Sequence, residues 1–354
     1  MVNRIFFICL VVGIPLSLAA NFLHWPAVLS FIIYCLTIIS LASYMGRATE
    51  SLAIIAGPRI GGLLNATFGN AVELIISIFA LKAGLLSVVL ASLTGSVLGN
   101  LLLVGGLSYF IGGLKYKRQM FNVYDAQHNA ALMIFAIVVA FVFPEVFSLR
   151  LSHAESFTLS IWVSIIMIIL YLAALYFKLV THRGIYVYKI EGAPNEHDDE
   201  TADWSKKKAI TVLALATVAV AFISESLVHT FQEVGRTLGW SETFIGIIIV
   251  AIVGNAAEHA SAVVMAYKNK VGVTFEIAVG STLQIAMFVA PVLVLLSIFF
   301  QKQMPLIFSI PELVSMVLAV FLTISLTNDG DTNWFEGLTL LAAYVIMGVG
   351  FYLL

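Results

Sequence analysis

Gly69-Asn70-Ala71-Val72-Glu73 returns 185 residues later as Gly254-Asn255-Ala256-Ala257-Glu258. The same register carries Gly95-Ser96-Val97-Leu98 onto Gly280-Ser281-Thr282-Leu283. Two separate motifs that share one offset mark an internal duplication. Both glutamates stand in apolar sequence. Glu73 runs into Leu74-Ile75-Ile76, and Glu258 follows Val250-Ala251-Ile252-Val253.

The rest of the chain has the same character. Of 354 residues, 61% are hydrophobic and only 11% are charged, against about 25% charged in a soluble domain. Too little polar surface exists to cover such a chain in water, so the bilayer is its solvent. A helical span needs about 20 mostly apolar residues. Breaks at charged, Pro-containing or Gly-containing stretches predict eleven spans: 4–21, 27–46, 61–82, 86–112, 127–147, 157–180, 207–231, 242–267, 272–300, 306–327 and 334–354. The predicted fold class is an all-α integral membrane protein. Arg4, Pro15, Ala19 and Ala20 imitate a signal peptide and its cleavage site, but the chain keeps Met1, and residues 1–22 are read as an N-terminal transmembrane helix. Cys9 and Cys35 both lie in apolar runs and predict neither a disulfide framework nor a metal site. The net charge of −2 gives no reason to expect a nucleic-acid partner.

Alternating eleven spans across the bilayer sorts the basic residues. Only Lys82, Arg150, Arg236 and Lys302, of eighteen Lys and Arg, fall on the side opposite the N-terminus. The N-terminal side is therefore expected to be cytoplasmic, with the C-terminus outside. Residues 183–206 form a hydrophilic cytoplasmic linker containing Glu191, Glu196, Asp198, Asp199, Glu200 and Asp203. A solvated connector is the simpler account of it; a calcium-sensing role is the alternative. The linker separates a first five-helix repeat, 23–182, from a second, 207–354. The two motif copies lie five spans apart, an odd number, so corresponding helices cross in opposite directions. This is the inverted repeat of secondary transporters, whose sites lie near the bilayer midplane.

An ionisable side chain at the bilayer centre costs on the order of 2.5–3.5 kcal/mol even on insertion scales, and usually serves function or is paired. No Lys or Arg lies deep within a predicted span, so Glu73 and Glu258 are the primary candidates. Asn70, Glu73 and Ser77 share one helix face, as do Asn255 and Glu258. Ser96, Gly99 and Asn100 form a stripe on the partner helix, and Ser281 and Gln284 form the corresponding one. Gly69 and Gly254 permit either a helix break that exposes carbonyls or close helix packing. Two carboxylates, amides, hydroxyls and freed carbonyls make an all-oxygen set suited to Ca²⁺. Protons compete for the same carboxylate oxygens, which predicts Ca²⁺/H⁺ exchange with no cofactor. If two protons exchange per calcium, each pH unit contributes about 1.4 kcal/mol per proton; the pair then supports roughly a hundredfold calcium ratio.

The quoted motifs, extended to Gly95-Ser96-Val97-Leu98-Gly99-Asn100 and Gly280-Ser281-Thr282-Leu283-Gln284-Ile285, resemble those of the calcium/proton antiporters of the cation/calcium exchanger superfamily, especially bacterial members. The resemblance covers nearly the whole chain. It implies Ca²⁺ binding by Glu73 and Glu258, supporting oxygens from Asn100, Ser281 and Gln284, alternating access in a bacterial cell membrane, and a homo-oligomer such as a trimer.

His259, Glu225 and His128 are secondary candidates for proton relay. Glu145, Glu276 and Glu312 lie near span ends and are read as solvated. Asp329-Gly330-Asp331-Thr332-Asn333 imitates an EF-hand, but Trp334 and Leu340 occupy the positions that need Gly and Glu, so a short turn is expected. Sodium/calcium exchange is the nearest alternative; the neutral amide of Gln284 favours protons. A cation channel leaves the paired carboxylates unexplained. An intramembrane metalloprotease would need His-Glu-x-x-His, which is absent, so no enzyme activity is expected.

Overall fold

The computed structural model describes residues 2–182 and 201–354. The acidic residues of 183–200, and the regulatory role considered for them, lie outside the described residues. The architecture is a succession of apolar helices: α1 (Val2–Phe22), then α2 (Ala27–Ala56), α3 (Arg59–Lys82), α4 (Leu86–Lys115), α5 (Ala126–Ser148), α6 (His153–Thr181), α7 (Lys206–Leu238), α8 (Glu242–Tyr267), α9 (Val271–Ser297), α10 (Ile310–Thr327) and α11 (Trp334–Leu353). Among the described residues, α2 to α11 are long and apolar enough to cross a membrane, and α1 contributes the shorter apolar stretch Phe6–Phe22. Outward-facing Trp162, Ile166, Ile169 and Leu172 on α6 are exposed, as lipid-facing side chains should be.

One boundary differs instructively. The second span is predicted to end at residue 46, yet α2 continues to Ala56 and stops only at Gly57, whose φ of +81° suits glycine. Arg47 ends the apolar stretch but not the helix, because arginine is a good helix former; it pairs with Asp203 at 2.9 Å.

The chain forms two compact units, and each draws on both sequence halves. The first comprises Met1–Ser92, Glu200–Ala257 and Leu354; the second comprises Leu93–Asp199 and Glu258–Leu353. In the first, α2 packs along α7. Phe31 meets Phe231 edge-on at 6.2 Å near one end. Near the other, Trp204 stacks on Tyr44 at 6.0 Å and receives Arg47 and Lys208 over its ring. α1 docks on α2, where Ser17 donates to Thr37 at 3.1 Å.

In the second unit, small residues let α4 and α11 approach closely. A Cβ on Gly337 would lie 2.7 Å from the Gly106 carbonyl oxygen. At the end of this pair, strand β1 (Gln119–Met120) pairs antiparallel with β2 (Asp331–Thr332). Arg118 forms an ion pair with Asp331, which accounts for the acidic turn that imitates a calcium loop. Gln119 Nε2 donates to the Ala266 carbonyl at 2.9 Å and to Asn269 Oδ1 at 3.0 Å. Three loops that the eleven-span alternation places on one side thus meet. Ion pairs also join Arg47 to Asp203, Lys82 to Glu225 and Lys178 to Glu276. Glu312 corrects the sequence reading. It is buried rather than solvated, and its carboxylate accepts from the backbone N–H of Ser309 at 2.8 Å and its hydroxyl at 2.7 Å, capping α10.

Candidate functional site

In the first unit, α3 is two helical segments, Pro58–Phe68 and Ala71–Lys82. The turn between them falls at Gly69 and Asn70, where Asn70 leaves helical geometry at φ −103° and ψ +25°. The break puts Glu73 in the first turn of a new helix, where the macrodipole favours a negative charge. Glu73 has no exposed surface, and Asn70 is almost as deeply buried. Asn255 Nδ2 reaches Glu73 Oε2 at 3.5 Å and donates more closely to the Ala251 carbonyl at 2.9 Å.

Gly254 does not repeat the break. Helix runs unbroken through Ala251–Tyr267, and the irregularity lies upstream, in a π-helical turn over Ile245–Val250. Gly254 serves packing instead: a Cβ there would lie 3.3 Å from Glu73 Cβ. The helix thus breaks next to Gly69, at Asn70, with Gly69 itself at helical φ −52° and ψ −53°, whereas Gly254 serves packing.

In the second unit, Glu258 projects from α8. Ser281 hydrogen-bonds to its carboxylate and accepts from Asn100 Nδ2 at 3.0 Å. The amide donor thus occupies a lone pair on the serine oxygen and leaves its proton for the carboxylate. Among the described residues, Glu258 Oε2 is buried without a hydrogen-bond partner. A buried, unsatisfied acceptor is costly and gains from a proton or a cation. Ser96 and Gln284 are also buried. Gly99 and Asn100 open a π-helical turn, Gly99–Val104, and Gln284 precedes another, Ile285–Val289. These two turns coincide under the 185-residue offset, and such turns are frequent at functional sites. The His259 ring packs against Gly99, where a Cβ would lie 3.8 Å from Cε1, and its Nε2 has no hydrogen-bond partner among the described residues.

Two of the proposed relay groups sit differently. Glu225 is 44% exposed and paired with Lys82 at 3.1 Å. His128 is exposed and stacks on Phe177 at 5.9 Å. Sequence reasoning passed over Ser92 and Thr274, two buried hydroxyl residues on α4 and α9, because hydroxyls in apolar helices usually bond back to their own turn.

The sodium/calcium exchanger protein family model matches residues 26–180 and 208–353. The chain belongs to this family. It is 68% identical over 352 residues to the Ca(2+)/H(+) antiporter ChaA of Bacillus subtilis, covering 99% of this chain and 100% of that one. It is 42% identical to a Ca(2+)/H(+) antiporter of Aphanothece halophytica, covering 99% of this chain and 96% of the relative. Among solved structures, native YfkE matches with a TM-score of 0.88 at 64% identity, over 99% of this chain and 100% of that one. The H+/Ca2+ exchanger CAX matches with a TM-score of 0.72 at 15% identity, over 100% of this chain and 93% of that one; at that identity the likeness speaks for the fold alone. This family member is a multi-pass integral membrane transporter rather than an enzyme.

Proposed function

We propose that the protein exports calcium by exchanging Ca²⁺ for H⁺ across a bacterial cell membrane, with both ions competing for Glu73 and Glu258. The observation that carries this reading is one carboxylate in each compact unit, fully buried at Glu73 and buried at the Oε2 atom of Glu258, set among amides and hydroxyls. The ChaA relative's name supports the choice of ions. Coupling follows from charge. Two protons, or one calcium ion, neutralise two carboxylates, whereas the unloaded pair carries two buried charges, an expensive state in hydrocarbon. The empty carrier therefore does not reorient, and each calcium leaves only against protons. Asn70, Asn255, Ser96, Asn100, Ser281 and Gln284 supply supporting oxygens. In this reading, 1–22 is an accessory helix, 23–182 and 207–354 are inverted repeats, 183–206 is a cytoplasmic linker, the N-terminus is cytoplasmic, the C-terminus is outside, and the chain assembles as a homo-oligomer.

Everted membrane vesicles with an imposed pH gradient and no sodium test the proposal. Wild-type protein should accumulate calcium, and Glu73→Gln and Glu258→Gln should each abolish accumulation while retaining folded protein. Undiminished transport in either variant refutes the assignment. The family also carries the sodium/calcium exchanger description; uptake that needs a sodium gradient and ignores pH would replace protons with sodium as the counter-ion.

A further inference from the structure

The hydroxyls passed over by the sequence reading reveal a second layer to the site. In this fold, buried Ser and Thr commonly donate to the carbonyl four residues back within their own helix. Thr37 bonds to Ile33 at 2.7 Å, Ser160 to Ser156 at 2.8 Å and Thr282 to Ala278 at 2.9 Å. Thr274 does not. It is fully buried near the start of α9 and donates across to the Ala262 carbonyl of α8 at 2.8 Å. Ala262 lies four residues beyond Glu258, on the same helix face. Ser281, the partner of Glu258, lies seven residues beyond Thr274, on the same face of α9. One face of α9 therefore holds α8 at two points, Thr274 on Ala262 and Ser281 on Glu258.

The first half carries a fastening at the corresponding place. Ser77 lies four residues beyond Glu73 and coincides with Ala262 under the 185-residue offset. Its hydroxyl faces Ser92 of α4 at 3.5 Å, and both residues are buried. Ser92 already donates to the Val89 carbonyl at 2.8 Å, so Ser77 must be the donor in this longer contact. The same position is thus tied tightly by a side chain to backbone in one half and loosely by two side chains in the other.

We propose that Thr274 is a positioning residue for Glu258, and that the Ser77–Ser92 pair is its weaker counterpart for Glu73. Thr274 sets the register of α8 against α9 and so holds the Glu258 carboxylate against Ser281. This makes Glu258 the fixed carboxylate. Glu73, on a broken helix with a loose fastening, is the one that adjusts. The inference rests on the reading of Glu258 and Glu73 as the ion-binding carboxylates.

The test compares Thr274→Val, which keeps the shape and removes the donor, with Thr274→Ser, which keeps the donor. Proton-driven calcium uptake is measured against calcium concentration, beside Glu258→Gln and the double variant Ser77→Ala/Ser92→Ala. Losing one buried hydrogen bond predicts that Thr274→Val raises the half-saturating calcium concentration about two- to tenfold, with a smaller change in maximal rate per folded protein. Thr274→Ser should restore it, and the serine double variant should raise it less than Thr274→Val does. A purely structural role would lower the yield of folded protein and leave half-saturation unchanged. That outcome, with Glu258→Gln inactive, overturns the proposal alone. An active Glu258→Gln overturns the underlying assignment and the proposal together.

Discussion

Gly254→Ala isolates what packing contributes to the site. In a helix interior, alanine is ordinarily favoured over glycine by about 1 kcal/mol. Here the added Cβ would lie 3.3 Å from Glu73 Cβ, 3.5 Å from its Cα and 3.7 Å from its Cγ. Carbon pairs rest at about 3.5–4.0 Å, so the neighbour must yield by a few tenths of an ångström. Two of the three atoms are Glu73 Cα and Cβ, which cannot swing away as a side-chain tip would. Overpacking costs typically about 1–3 kcal/mol, enough to reverse the helix-propensity gain and leave a net loss near 1 kcal/mol. Because the strain falls on the carboxylate-bearing residue, we expect the half-saturating calcium concentration to rise about fivefold, at about 1.4 kcal/mol per tenfold. Gly280→Ala is the matched control. Among the described residues, nothing beyond its own helix turn lies within 4 Å of its added Cβ, so stability should be unchanged or slightly raised and transport preserved. Vesicle uptake against calcium concentration, with thermal unfolding of the detergent-purified protein, reads both effects. Wild-type affinity in Gly254→Ala, or equal damage from Gly280→Ala, would refute the reasoning.

Other outcomes follow from the same geometry. Gly337→Ala should sharply reduce folded protein on size-exclusion chromatography, because its Cβ would overlap the Phe110 backbone of α4. Trp204→Ala removes a buried indole stacked on Tyr44 and flanked by Arg47 and Lys208. It should cost on the order of 3 kcal/mol, seen as a lower unfolding temperature, while folded protein still transports. Glu225→Gln should leave transport within about twofold of wild type, since the carboxylate is half-exposed and its partner is Lys82; a loss comparable to Glu73→Gln would restore it as a proton carrier.

Much of this molecule is legible in one dimension because a bilayer imposes a uniform rule. Each crossing segment must be apolar for about 20 residues, so span number and order can be read directly, and a carboxylate inside such a segment identifies itself. The duplicated Gly-Asn-Ala-x-Glu motif singles out Glu73 and Glu258 as the candidates for a site. Local signals were weaker guides to helix ends. Arg47 ends the apolar span of α2, but the helix itself runs on to Ala56, because arginine favours helix and only Gly57 stops it.

The sequence by itself determined the all-helical membrane class and the order of its apolar helices, and its repeated motif singled out Glu73 and Glu258 as candidates. Only the tertiary structure decided how equivalent motifs diverge. Gly69 and Gly254 stand in the same pattern, yet the chain breaks next to one and stays helical at the other, where it packs against Glu73. A glycine permits both outcomes, and what presses against it selects between them. The same holds for Thr274. Its hydroxyl donates to the Ala262 carbonyl of α8, a partner twelve residues back on the neighbouring helix. Such choices depend on contacts between residues distant in sequence, which no local pattern encodes.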